Sequence, residues 1–112
     1  MVVLLAPPVA AATVKLPVYA KRLSIRLPAL AARTWAPRGF GDFWQYMLLA
    51  EGAVDVCVDS FANLWDLAAP KLIVEEAGGR LTDLAGRVTA DGGSAIASNG
   101  LLHEAVVAQL TG

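Results

Sequence analysis

Asp66 follows Trp65 at the expected mouth of a helix, in the stretch Asn63-Leu64-Trp65-Asp66-Leu67-Ala68-Ala69. The first amides of a helix have no intrahelical partner and the macrodipole is positive there, so an anion is favoured. An aspartate so placed can do one of two things. It can cap the helix, which is worth about 1 kcal/mol. Or, held rigid by a packed Trp65, it can present its carboxylate to a metal ion. Asp59 ends an alternating run upstream, and Asp42 opens the helix before that. Strand ends facing a helix mouth are where open α/β sheets place their sites. Three carboxylates from three segments could therefore converge on a hard cation such as Mg2+, which takes oxygen ligands. Taken singly, Asp42 and Asp59 read as turn residues.

Other candidates carry less. Asp55 reads as structural, and Asp83 and Asp91 as turn acids. His103 is the only histidine and stands beside Glu104, with no serine or cysteine placed to make a triad. It is expected on the solvated surface. Gly92-Gly93-Ser94 has the look of a phosphate loop but lacks the lysine of a P-loop, so it is expected to be a turn. Cys57 lies between Val56 and Val58 and reads as a buried strand thiol. As the only cysteine it excludes an internal disulfide and any cysteine-based zinc cluster.

The elements that must position these acids follow from hydrophobic period. Around Asp42, the run Arg38-Gly39-Phe40-Gly41-Asp42-Phe43-Trp44 enters a helix with Phe43, Met47 and Leu48 at helical spacing, ended by Gly52. Val54, Val56 and Val58 alternate with Asp55, Cys57 and Asp59, which predicts a strand with one apolar and one polar face. A helix is predicted from about Trp65 to Ala77, burying Leu67, Ile73, Val74 and Ala77. Pro70 would then fall at about its fourth position, where a missing amide matters little. Gly78-Gly79 suits a left-handed cap and a sharp exit. Residues 80–89 read as a hairpin-like pair of strands, and 94–99 as a short strand. Residues 100–110 read as a closing helix with Leu101, Leu102, Ala105, Val106 and Leu110 inward. The order is α/β and no repeat is visible.

Composition bounds the rest. The 112 residues make one domain at most, 56% hydrophobic and 7% aromatic. A net charge of −1 gives no electrostatic case for nucleic acid. No apolar run approaches the ~20 residues of a membrane span. The charge is unevenly distributed. Residues 1–40 carry six Lys/Arg and no acid; residues 41–112 carry three Lys/Arg and ten acids. Five of the six prolines lie at or before Pro37, and the first glycine is Gly39. The apolar start lacks a positive segment before it and is interrupted by Pro7-Pro8, so it makes a poor secretory signal. Pro17 and Pro28 break the amphipathic helix that a mitochondrial-type presequence needs. Apart from a short strand near Thr13–Leu16, residues 1–28 are expected to be irregular.

Two stretches carry a resemblance. Leu64-Trp65-Asp66-Leu67-Ala68-Ala69 followed by Glu76-Ala77-Gly78-Gly79 resembles the second motif of the inositol-monophosphatase-like family of Mg2+-dependent phosphomonoesterases. Residues 38–59, with Gly-x-Gly-Asp-Phe-Trp-x-Tyr-Met, are similar to the bacterial histidinol-phosphate phosphatase branch of histidine biosynthesis. Residues 97–110 resemble the family's closing strand and helix, so the likeness runs from about Ala31 to the end. It implies the C-terminal, mixed-sheet α/β half of the layered αβαβα sugar-phosphatase fold. It also implies hydrolysis of a small phosphate monoester by metal-activated water, with Mg2+ as cofactor. Carried over position by position, the metal ligand is Asp66, and the substrate-binding residues are Asp59 and Asp42, with Arg38 at the pocket rim. In the histidinol-phosphate reading, Asp42 and Asp59 would suit an ammonium or imidazolium by charge. No catalytic residue is assigned within this chain.

The family's Asp-Pro-x-Asp-Gly-Thr motif is absent; the only Asp-Gly is Asp91-Gly92. The expectation is therefore a leader over residues 1–30, disordered or read out of frame, and a C-terminal half-domain over residues 31–112. Such a half-domain would be inactive alone, would need an N-terminal half in cis or in trans, and would self-associate through its uncovered edge and faces. The expected location is the cytoplasm. An inositol-monophosphatase-type enzyme and a non-catalytic binding or assembly module stay open as alternatives.

Overall fold

A computed structural model of the chain describes residues 11–15, 21–34, 36–39 and 43–111. In chain order the elements are β1 (Ala11–Lys15), α1 (Lys21–Ala31), β2 (Ala36–Arg38), α2 (Trp44–Ala50), β3 (Val56–Asp59), α3 (Leu64–Glu76), β4 (Arg80–Thr82), β5 (Ala95–Ser98) and α4 (His103–Thr111). The five strands form one sheet in the order β2-β1-β3-β5-β4. β1 is parallel to both β2 and β3, while β5 is antiparallel to both β3 and β4. The mixed α/β sheet agrees with the sequence expectation.

β3 departs from the alternation that predicted it. All four of its residues are buried, Asp59 included, so the strand has no solvated face. Its two sides meet different layers. Cys57 Sγ donates to the Gln45 carbonyl at 3.2 Å, so the side of Cys57 and Asp59 faces α2. By alternation Val56 and Val58 face the other way, as do Ile96 and Ser98 across the antiparallel ladder. On that side Ser98 meets His103 of α4, and α1 packs on α4. The core on the first side gathers Tyr46, Leu49, Cys57, Leu67, Val74 and Leu81, from α2, β3, α3 and β4. The sheet is thus covered by α2 and α3 on one face and by α4, backed by α1, on the other.

Several local expectations are corrected. Residues 21–28, expected to be irregular, lie in α1, which runs on to Ala31 despite Pro28. One proline removes a single backbone donor, and the packing of Leu27 and Leu30, both 4% exposed, outweighs that loss. The expected hairpin at residues 80–89 has only its first strand. Asp83 N–H reaches the Arg87 carbonyl at 2.9 Å, but the returning segment finds no further ladder. α3 begins at Leu64, so Pro70 is the seventh helical residue, not the fourth, and Asp66 loses its carbonyl's i+4 partner. The buried stripe of α3 is Leu67, Pro70 and Val74, whereas Ile73 and Ala77 are exposed. In α4 it is His103, Val106 and Leu110, with Leu101 90% exposed and Ala105 also outside. α2 buries Gln45, Tyr46 and Leu49 while Phe43 stands exposed.

Candidate active site

Asp59 is the last residue of β3 and Asp66 the third residue of α3, and the loop between them turns the chain from sheet to helix. Both line one open cleft of about 460 Å³, together with Phe43 and Tyr46 from the α2 side and Trp65, Ala69 and Pro70 of α3. Two of the three acids expected to converge come together here. They differ in surroundings. Asp59 is 2% exposed at the floor, where the Tyr46 hydroxyl donates to Oδ2 at 3.5 Å. Asp66 is exposed at the mouth. Its Oδ2 accepts the Asn63 amide at 3.1 Å, while its own amide donates to the Asn63 carbonyl at 2.9 Å. Asp66 therefore serves the helix start and also fronts the cleft. The two readings of this residue are compatible.

Trp65 does not pack against Asp66. It is 80% exposed, because it sits two residues before Leu67 and so about 200° round the helix from the buried stripe. Asp66 is held instead by its bond to the Asn63 amide. Asp42 lies outside the described residues. Of Arg38 the backbone is described, in β2 at the edge of the sheet, with β1 between it and β3. Asp55 is structural, as expected: it accepts from Asn99 Nδ2 at 3.2 Å, and its carbonyl accepts the Asn99 amide.

A single hard carboxylate at the mouth of an open cleft suits Mg2+ as one ligand, since this ion keeps several waters and takes few protein carboxylates. Among the described residues no group of three or more His, Cys, Asp or Glu gathers to hold a metal. The donor chemistry of Asp66 fits the ion.

His103 is not on the surface. It is 1% exposed, between Ser98 Oγ at 2.8 Å from Nδ1 and Thr82 Oγ1 at 2.8 Å from Nε2. Thr82 gives its hydroxyl proton to the Asp83 carbonyl, so it must accept from Nε2–H. Nδ1 is then the acceptor, taking the proton of Ser98, whose oxygen in turn accepts the Gly100 amide. The ring is neutral: burial first, and Arg80 second, lower its pKa to about 4. It links α4 to β4 and β5 and stays away from the cleft. Asp83 is a turn acid, but a buried one, accepting the Ala85 and Arg87 amides and Arg87 Nε. Gly92 and Gly93 form the expected bend. A Cβ on Gly92 would come within 2.5 Å of Asp83 Cβ, and the Gly93 carbonyl accepts the Ala62 amide.

Residues 14–111 match the inositol monophosphatase family. The chain is 49% identical over 85 residues to a histidinol-phosphatase of Mycobacterium tuberculosis, covering 76% of this chain and 33% of the relative. It is 48% identical over 81 residues to a histidinol-phosphatase of Streptomyces coelicolor, covering 72% of this chain and 30% of that one. The chain thus spans about a third of the length of these curated relatives. Among solved structures, a Thermotoga maritima IMPase superposes with a TM-score of 0.79 at 31% identity, over 90% of this chain and 40% of that chain. An inositol monophosphatase from Zymomonas mobilis superposes with a TM-score of 0.82 at 26% identity, over 90% and 42%. Among the described residues no helix is long and apolar enough to cross a membrane.

Proposed function

The chain belongs to the inositol monophosphatase family, and on that premise we propose that it forms the C-terminal part of a cytoplasmic phosphomonoesterase acting on histidinol phosphate. The observation that carries the reading is the shared cleft, in which a buried Asp59 and an exposed Asp66 face one opening. Asp66 would hold Mg2+. When bound, that ion polarises a phosphoryl oxygen and lowers the pKa of water. Asp66 is poised for this by the Asn63 amide, which fixes one oxygen of the carboxylate. Asp59, at the floor, would receive the cationic end of the substrate and orient the ester towards Asp66. Asp42 and Arg38 are assigned to the same pocket by resemblance.

The two thirds of the histidinol-phosphatases that this chain does not match would supply the remaining metal ligands, in cis or in trans. On this reading the chain alone is inactive, and its uncovered apolar residues drive self-association. The histidinol-phosphate reading is favoured over an inositol-phosphate one by the acid at the cleft floor and by the names of the relatives near 48% identity.

A chimera tests this. The matched 85-residue region of this chain replaces its counterpart in the Mycobacterium tuberculosis histidinol-phosphatase. It should release phosphate from histidinol phosphate with Mg2+, faster than from inositol 1-phosphate. Asp66→Asn should remove the activity, and Asp59→Asn should chiefly raise KM for histidinol phosphate. A folded chimera that is inactive, or indifferent to Asp66→Asn, contradicts the proposal.

A further inference from the structure

Tyr46 is 1% exposed, and its ring lies at the floor of the cleft beside Asp59. The first turn of α2 is tied to β3 by the Cys57 thiol, which donates to the Gln45 carbonyl at 3.2 Å. That tie sets Tyr46 over the end of the strand, where its hydroxyl reaches Asp59 Oδ2 at 3.5 Å. Burial first, and then the charge of Asp59, hold the phenol far above its ordinary range, so it keeps its proton. A phenol that keeps its proton acts towards the carboxylate as a donor. The contact is long beside the usual O–H···O range of about 2.5–3.0 Å. Hydrogen bonds of this kind are often slack in a ligand-free site and tighten on binding.

We infer that Tyr46 is a positioning residue for Asp59, holding the carboxylate turned into the cleft so that the cleft selects a compact organic cation over a neutral polyol. The inference rests on the reading of Asp59 as a substrate contact. A carboxylate at the floor favours a cation by charge. The exposed rings of Phe43 and Trp65 at the rim offer π faces that do the same. Phe43 is steadied by the edge of Trp44, with ring centroids 6.5 Å apart at 90°.

The test uses the full 112-residue chain labelled with 13C, L-histidinol as the cation probe and myo-inositol as the neutral control. L-histidinol should move the Asp59 carboxyl resonance and myo-inositol should not. Tyr46→Phe keeps the ring and removes the donor. It should shift the free Asp59 resonance and weaken histidinol binding about three- to tenfold. In an Asp59→Asn background the same substitution should change nothing further. If Tyr46→Phe leaves both the Asp59 resonance and the affinity unchanged, the inference is overturned. If it moves the resonance but histidinol does not bind the native chain, the positioning role stands and the substrate role of Asp59 falls. Should Tyr46→Phe not fold, 3-fluorotyrosine at position 46 gives a stronger donor, and an unmoved Asp59 resonance overturns the inference equally.

Discussion

Asp66 accepts the Asn63 amide at the start of α3 and is proposed to hold a metal ion, and the two roles can be separated by substitution. Asp66→Asn keeps an acceptor for the Asn63 amide, so stability should change by no more than about 0.5 kcal/mol. Asp66→Ala removes the acceptor and should cost about 1 kcal/mol, measured by urea unfolding. Equal stability losses in the two variants would show that the bond to Asn63 does not hold this residue. Asp59 and Asp66 could be found in the sequence because a strand end and a helix start, seven residues apart, have to lie near each other. Tyr46 and His103 could not. Phe43 and Met47 are the more obvious apolar residues at and after the start of α2, yet Gln45, Tyr46 and Leu49 are the buried ones, and the Tyr46 hydroxyl finds an acceptor on β3. His103 is buried because Thr82 and Ser98 satisfy both its nitrogens, and neither partner lies within its own helix.

At the level of elements, α4 is fastened to the sheet by that neutral histidine. Its pKa falls from the ordinary 6.5 to about 4 in the folded chain, so below pH 6.5 the unfolded chain binds the proton first. The stability associated with the neutral ring is full above pH 6.5 and is lost as pH falls towards 4, by about 3 kcal/mol at the limit. Urea midpoints at pH 7, 5.5 and 4.5 should fall accordingly. His103→Gln should be less stable at pH 7 but flatter with pH, and an unchanged slope would rule out His103 as the cause. The exposed Arg80–Glu104 pair beside it should contribute little. The exit of α3 makes a second element-scale prediction. Gly78 takes a φ of +94°, and a Cβ on Gly79 would lie 2.5 Å from the Ser98 carbonyl oxygen and 2.9 Å from Val74 Cγ1. Gly79→Ala should therefore cost about 2 kcal/mol or more, and a smaller loss would mean that the helix can back away from β5. Gly-Gly after a helical period made this exit readable from sequence. α1 was not, because Pro28 signals a break that the packing of Leu27 and Leu30 overrides. The missing second strand after β4 is the converse: residues 87–90 have a strand-like composition but only one ladder bond to hold them.

At the scale of the molecule, the described residues form a five-stranded mixed sheet between two helical layers, and the chain spans about a third of the length of the histidinol-phosphatases it resembles. The α/β class and the family could be read from the chain. The parallel pairing of β1 with β2 and β3 could not, because it joins segments far apart in sequence. Phe43, Trp44, Phe61, Leu64, Trp65 and Leu72 are each 46% exposed or more. An apolar surface of that kind should make the isolated chain self-associate, with a sedimentation coefficient that rises with concentration. A monomer across the accessible range would contradict this. The central claim is that Asp66 presents its carboxylate to a metal at the cleft. Titrating Mn2+, as a paramagnetic stand-in for Mg2+, into the 15N-labelled chain tests it most directly. Amide broadening should begin at Trp65–Ala69, ahead of the surface acids Glu51, Glu76 and Asp91, and disappear from the cleft in Asp66→Asn. Broadening that appears equally at every exposed acid, or survives the substitution, would contradict the claim.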